Sequence, residues 1–269
     1  MNAEELLKRY ADGERDFRAV NLTRADLRQA NLCQTILIAA DLHEANLSGA
    51  NLGGAKLSEA NLNGANLSGA NLISCDLSSA GLSSTNLSEA NLRGANLREV
   101  NLNEANLSGG NLGGAILTGG SLVGTKLIEA FLGGANLEGA NLTHAILSRA
   151  RLEKANLTHA ILSGANLMDA NFSDANLSMT KLIGASLVGA NLSRCSLRSS
   201  QMSWANLRRA NLNGATLYRA KLNWANLTET NLSETILIEA NFQQANFRDV
   251  NLKNANLNRA IMPDGVVHE

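Results

Sequence analysis

From Asp16 to Ala260 the chain advances in steps of five with no insertion or deletion, 245 residues making 49 units. The commonest unit reads Asn-Leu-x-x-Ala, as in Asn46-Leu47-Ser48-Gly49-Ala50. Its second position is Leu except at Phe17, Phe172, Met202, Phe242 and Phe247, and its fifth is nearly always small. A fixed short period is the signature of a repeat architecture and constrains the fold before composition does. An amphipathic helix is excluded, because about 3.6 residues per turn cannot hold a five-residue pattern on one face.

In an extended chain, residues two apart share a side and the one between points away. Ala50 and Leu52 therefore face inward and Asn51 outward, and the pattern repeats at every unit. The remaining pair, Gly53-Gly54 here and Ser-Gly or Ser-Glu elsewhere, is turn-forming. Each unit is predicted to be a short strand and a corner, and stacked turns bury a Leu/Ala core that no single turn can. The outward Asn should hydrogen-bond the turn or the neighbouring coil, as stacked Asn ladders do.

Units of the form Ala-(Asn/Asp)-Leu-x-x resemble the pentapeptide-repeat family, and the likeness covers residues 16–260. The resemblance implies an all-β fold, a right-handed quadrilateral β-helix with four units per turn. Trp204 and Trp224, one such turn apart, fit it, as do the triplets Ile36-Leu37-Ile38 and Ile236-Leu237-Ile238. About 12 coils at roughly 4.8 Å predict a rod of about 60 Å. The whole of 1–269 is expected to be one domain: a cap over 1–15, the solenoid over 16–260, and a closing turn over 261–269.

An open stack exposes core and unpaired edges at both ends. Residues 2–13 are predicted to form a capping helix, with Asn2 and Glu5 at capping-box spacing and Leu6, Leu7 and Tyr10 as its apolar stripe. At the other end the only proline begins the turn Pro263-Asp264-Gly265, after which Val266 and Val267 are expected to fold over the last coil. Both termini are similar to those of cyanobacterial pentapeptide-repeat proteins. That likeness implies action by binding a regulatory partner.

The net charge of −1 argues against a strong nucleic-acid binder or an acidic decoy. No apolar run approaches the ~18 residues of a membrane span, and the first ten residues lack a signal sequence, so a cytoplasmic protein without membrane contact is expected. Cys75 and Cys195 fall in the inward slot, too far apart to bridge, and Cys33 faces outward. His144 and His159 belong to the duplicated segment Asn-Leu-Thr-His-Ala-Ile-Leu but sit on different faces. No His-x-x-x-His, Cys-x-x-Cys or Gly-x-x-x-x-Gly-Lys-Ser/Thr motif occurs, and an interior filled by Leu and Ala leaves no cleft, so no enzyme, cofactor or metal is expected.

Function must then lie in the outward exceptions. The Asn position holds something other than Asn or Asp in 17 units. Numbering the faces by their Leu, with Leu22 on face one and Leu27 on face two, Val123, Ile161, Ile183, Trp204 and Trp224 fall on face one. Ile128, Ile146, Met168 and Val188 fall on face two. Between Ala175 and Thr228 there is no carboxylate, but there are Lys181, Arg194, Arg198, Arg208, Arg209, Arg219 and Lys221, a collar of +7. The overlap predicts a partner-binding surface comprising Lys181, Ile183, Val188, Trp204, Arg208, Arg209, Lys221 and Trp224 on a monomeric regulatory protein that binds another protein. A nucleic-acid role is the alternative. The family includes acidic duplex mimics that protect DNA gyrase, often dimerised at the C-terminal end; the near-neutral charge here departs from them, and direct binding through the collar would be a separate route.

Overall fold

The computed structural model describes all of residues 1–269. They form two units, Met1–Asn136 and Leu137–Glu269. Within each, parallel bridges join residues 20 apart: Asp16 to Ile36 through Ile116 to Asn136 in the first, and Asn141 to Ile161 through Asn241 to Ile261 in the second. One coil therefore takes four pentads. Each bridge is a single residue at the Asn position and not the short strand expected, because corners follow one another too closely for a strand to extend.

The pentad 46–50 shows how a repeat satisfies its own backbone. Asn46 N–H donates to Ala25 O at 2.9 Å, Leu47 N–H to Asn66 O at 2.7 Å and Gly49 N–H to Ser68 O at 2.8 Å. Ala50 N–H closes the corner onto Leu47 O at 2.9 Å. The remaining donor, Ser48 N–H, is accepted by the Asn46 Oδ1 at 3.2 Å. All five donors are paired, as buried or half-buried backbone requires. The Asn is thus a backbone acceptor first, a side-chain turn of the kind Asn and Asp favour.

The fourth residue of every pentad has positive φ, and 34 of these 49 residues are not glycine. That conformation costs an L-residue roughly 1–2 kcal/mol. The inter-coil bonds on both sides of the corner offset it, so Glu, Arg, His and Trp can stand there and project outward. The fifth residue tunes the corner from inside. With Ala or Gly the closing bond is 2.8–3.1 Å; Val20, Thr35, Val100, Cys195 and Val250 open it to 3.3–3.4 Å, and Thr230 stays at 3.0 Å.

In the first unit, helix α1 spans Ala3–Ala11, with Asn2 capping it by accepting from Glu5 N–H at 2.9 Å. Leu6 is fully buried, and the Tyr10 hydroxyl donates to Cys33 O at 3.2 Å. Arg15 lies 3.8 Å over the Tyr10 ring, locking the cap to the chain that enters the first coil. In the second unit Val267 pairs antiparallel with Ile261, and His268 N–H donates to Ala260 O at 2.8 Å. The expectation that Val266 and Val267 cover the last coil fails: they are 61% and 56% exposed. The terminal strap follows the edge at 259–261 instead, and Phe247, Val250, Leu252 and Leu257 remain only half-buried.

Candidate interaction surface

On face one of the second unit the inward column is Leu142, Leu162, Leu182, Met202, Leu222 and Phe242, all buried. This packing fixes the backbone, and the outward residues then stand one above another at the coil spacing. The Trp204 and Trp224 rings stack with centroids 5.0 Å apart and planes within 3°. They remain 62% and 50% exposed, so the pair shields itself but not its outer faces. Trp204 and Trp224 both occupy the left-handed corner position, with φ of 63°. Ile183 is 40% exposed beside them, and Lys181 and Lys221 are exposed on the same face. Between Asn141 and Gln244 face one presents no Asp or Glu.

The remaining predicted residues lie on adjacent face two. Val188 is half-buried, and Arg208 and Arg209 are exposed. Of the companion apolar band, Met168 is 41% exposed while Ile146 and Ile161 are half-buried; Val123 and Ile128, in the first unit, are half-buried as well.

The basic collar is smaller in space than in sequence. Arg194 pairs with Asp174 at 2.8 Å, Arg209 with Glu229 at 2.7 Å and Arg219 with Glu239 at 2.6 Å. Each carboxylate comes from a neighbouring coil, just outside the acid-free stretch. The hydrogen bond from its arginine holds each of these three carboxyls below its ordinary range. Tyr218 on face four is flanked by Arg219 at 4.9 Å and Arg198 at 5.8 Å. The field is therefore not a uniform ring of cations, and Lys181 and Lys221 on face one keep no carboxylate neighbour on that face.

A backbone feature was not anticipated from the sequence. Thr143 and Gln243 N–H groups are held by Asn141 and Asn241 Oδ1 at 3.1 and 2.9 Å. Between them the Asn position is filled by Ile161, Lys181, Gln201 and Lys221, which supply no such acceptor. The N–H groups of Ser163, Ile183, Ser203 and Asn223 consequently have no acceptor within the protein, on four successive coils. The signal was present as four departures from Asn at 20-residue spacing, but its meaning depends on knowing that Asn serves the turn.

All three cysteines are free thiols. Burial pushes the Cys75 thiol up to about 12 and the Cys195 thiol higher still. The His144 ring lies over Gly164, where an added Cβ would fall 2.6 Å from its Nδ1. No group of His, Cys, Asp or Glu assembles as a metal site, no cavity opens in either unit, and no helix is long and apolar enough to cross a membrane.

Coils of four pentads, each closed by a left-handed corner, define a repeat solenoid. The chain belongs to the pentapeptide repeats family, whose pattern matches in eight copies over 16–54, 50–83, 80–119, 121–158, 150–187, 175–214, 185–223 and 225–262. It is similar to HetL, a pentapeptide repeat protein involved in heterocyst differentiation regulation from the cyanobacterium Nostoc sp. strain PCC 7120. The two are 35% identical over 100% of both chains, with a TM-score of 0.48. QnrB1, a plasmid-mediated fluoroquinolone resistance protein, is 17% identical over 70% of this chain and 84% of its own, with a TM-score of 0.40. Rfr23 from the cyanobacterium Cyanothece 51142 is 32% identical over 41% of this chain and 58% of its own, with a TM-score of 0.18. Among curated proteins none matches.

Proposed function

We propose that the chain is a non-enzymatic protein-interaction module, a cytoplasmic regulator that presents face one of Leu137–Glu269, with the bordering Val188, Arg208 and Arg209, to a protein partner. The observation that carries this reading is the stacked, exposed pair Trp204 and Trp224 on a face that holds no carboxylate between Asn141 and Gln244. Large exposed aromatics flanked by cations are the residue types that dominate protein interfaces, and exposed apolar surface of this kind marks interaction sites. The unbroken pentad phase across Asn136 and Leu137 supports one repeat domain over 1–269, read as a right-handed quadrilateral β-helix of about 12 coils by the same coil arithmetic.

Affinity capture from the source cell with wild type and a Trp204→Ala/Trp224→Ala/Arg208→Glu variant tests the surface. Loss of at least one captured protein from the variant is expected. Equal recovery of every protein by both sinks the assignment.

A further inference from the structure

Face one of the second unit carries more than an aromatic pair. Its corner column reads His144, Gly164, Gly184, Trp204, Trp224 and Gln244. The His144 ring fills the place over Gly164, and the tryptophans fill their own, but an added Cβ at Gly184 meets nothing within 4 Å. One rung of the column is therefore open, with the uncovered face of Trp204 on one side and His144 beyond Gly164 on the other. A planar group placed there continues the stack at the spacing the two indoles already adopt, 5.0 Å. Beside this rung runs the line of unaccepted N–H groups on Ser163, Ile183, Ser203 and Asn223, bracketed by Lys181 and Lys221.

Each element selects the same chemistry. Unpaired amide donors in succession ask for oxygen acceptors and stabilise anions, as oriented backbone amides do elsewhere. The two ammonium groups ask for negative charge, and no carboxylate on this face between Asn141 and Gln244 opposes it. The open rung beside Trp204 asks for one flat side chain. We infer that face one binds an extended acidic segment of a partner protein, whose carboxylate or carbonyl oxygens accept from this N–H ladder while one aromatic side chain stacks on Trp204 over Gly184. This deepens the interaction reading above and rests on it. Four rungs span about 14 Å, the length of four to five extended residues.

A nucleic acid also offers acceptors and flat rings, but its affinity comes from neutralising many phosphates. Face one has only two lysines for that purpose, and three nearby arginines are already held by Asp174, Glu229 and Glu239. The protein segment is the better fit.

The repeat itself supplies the discriminating variant. Ile161→Asn/Gln201→Asn restores the usual acceptor for Ser163 and Ser203 N–H, changes no charge and leaves the tryptophans in place. A fluorescein-labelled heptapeptide, Asp-Glu-Asp-Tyr-Asp-Glu-Asp, is titrated with the full chain and followed by anisotropy. Saturable binding to wild type is expected. It should weaken about tenfold or more in Ile161→Asn/Gln201→Asn while the melting temperature of that variant holds or rises, two hydrogen bonds to carbonyl acceptors being of about that size and two to carboxylates larger. Gly184→Gln, which fills the rung at a corner where Gln244 is already tolerated, should weaken it by a similar factor, as should Tyr to Ala in the peptide. No saturable binding, or binding indifferent to both Ile161→Asn/Gln201→Asn and Gly184→Gln, overturns the inference. So does tighter, salt-sensitive binding of a labelled oligothymidylate, which would make the ladder a nucleic-acid site. If the capture experiment loses a protein with the tryptophan variant while Ile161→Asn/Gln201→Asn retains it, the interaction surface stands and the ladder falls.

Discussion

Faces three and one of the second unit share a backbone and differ in what it leaves unsatisfied. On face three the amides of Asn191, Asn211, Asn231 and Asn251 each donate to the Oδ1 of the Asn one coil below, at 3.0, 3.4, 3.1 and 3.0 Å. The same oxygens accept the corner N–H groups of Ser193, Asn213 and Ser233 at 3.1 Å. On face one Ile161, Lys181, Gln201 and Lys221 replace that ladder, and the corner donors stay open. A face that pairs its own polar groups has little left to offer a partner. A face that forgoes those bonds keeps donors, charge and exposed aromatic surface for one.

The core beneath should not distinguish the two. Leu192→Ala under face three and Leu182→Ala under face one each empty a fully buried position, and both should cost about 2–5 kcal/mol in denaturant unfolding. Unequal costs would mean that the faces differ in packing as well as in surface. The contrast is expected one layer out. Asn211→Ala removes an acceptor for Asn213 N–H and two rungs of the ladder, and should cost about 1–3 kcal/mol. Gln201→Ala at the equivalent place on face one should stay within about 0.5 kcal/mol.

Smaller again is the indole stack. Trp204→Ala should lower stability by about 0.5–1.5 kcal/mol, since only the ring–ring contact is lost from an exposed pair. A much larger loss would recast the tryptophans as structural. The smallest effect belongs to pH. Asp174, Glu229 and Glu239 are held below the usual carboxylate range by their arginines, so their contribution is present above the unfolded carboxylate values and disappears as pH falls through the folded ones. These pairs lie at the surface, so only a slight loss of melting temperature is expected between pH 6 and pH 3. It should shrink further in Arg209→Gln/Arg219→Gln.

The fold was legible in the sequence because a pentad fixes which residues face inward, while four pentads per coil came from the family resemblance, with which the 20-residue spacing of Trp204 and Trp224 agrees. The helix cap was legible from Asn2, Glu5 and Leu6. Other features were not. The +7 stretch looked unopposed because Asp174, Glu229 and Glu239 lie outside it along the chain, yet one coil away in space. Val266 and Val267 read as a cover because they are apolar, but the backbone bonds at Arg259, Ala260 and Met262 set the strap along the edge and leave both side chains exposed. The free donors of face one were hidden because sequence names side chains, and what matters here is the backbone group that a missing Asn leaves behind.

Face one, and not face three, is the surface proposed for a partner. Quantitative affinity capture with Trp204→Ala/Trp224→Ala/Arg208→Glu beside a face-three control, Lys253→Ala, tests it most directly. The first variant should lose a captured protein that the control retains at the wild-type level. Loss from the control with retention by the face-one variant, or no difference among the three, would contradict it.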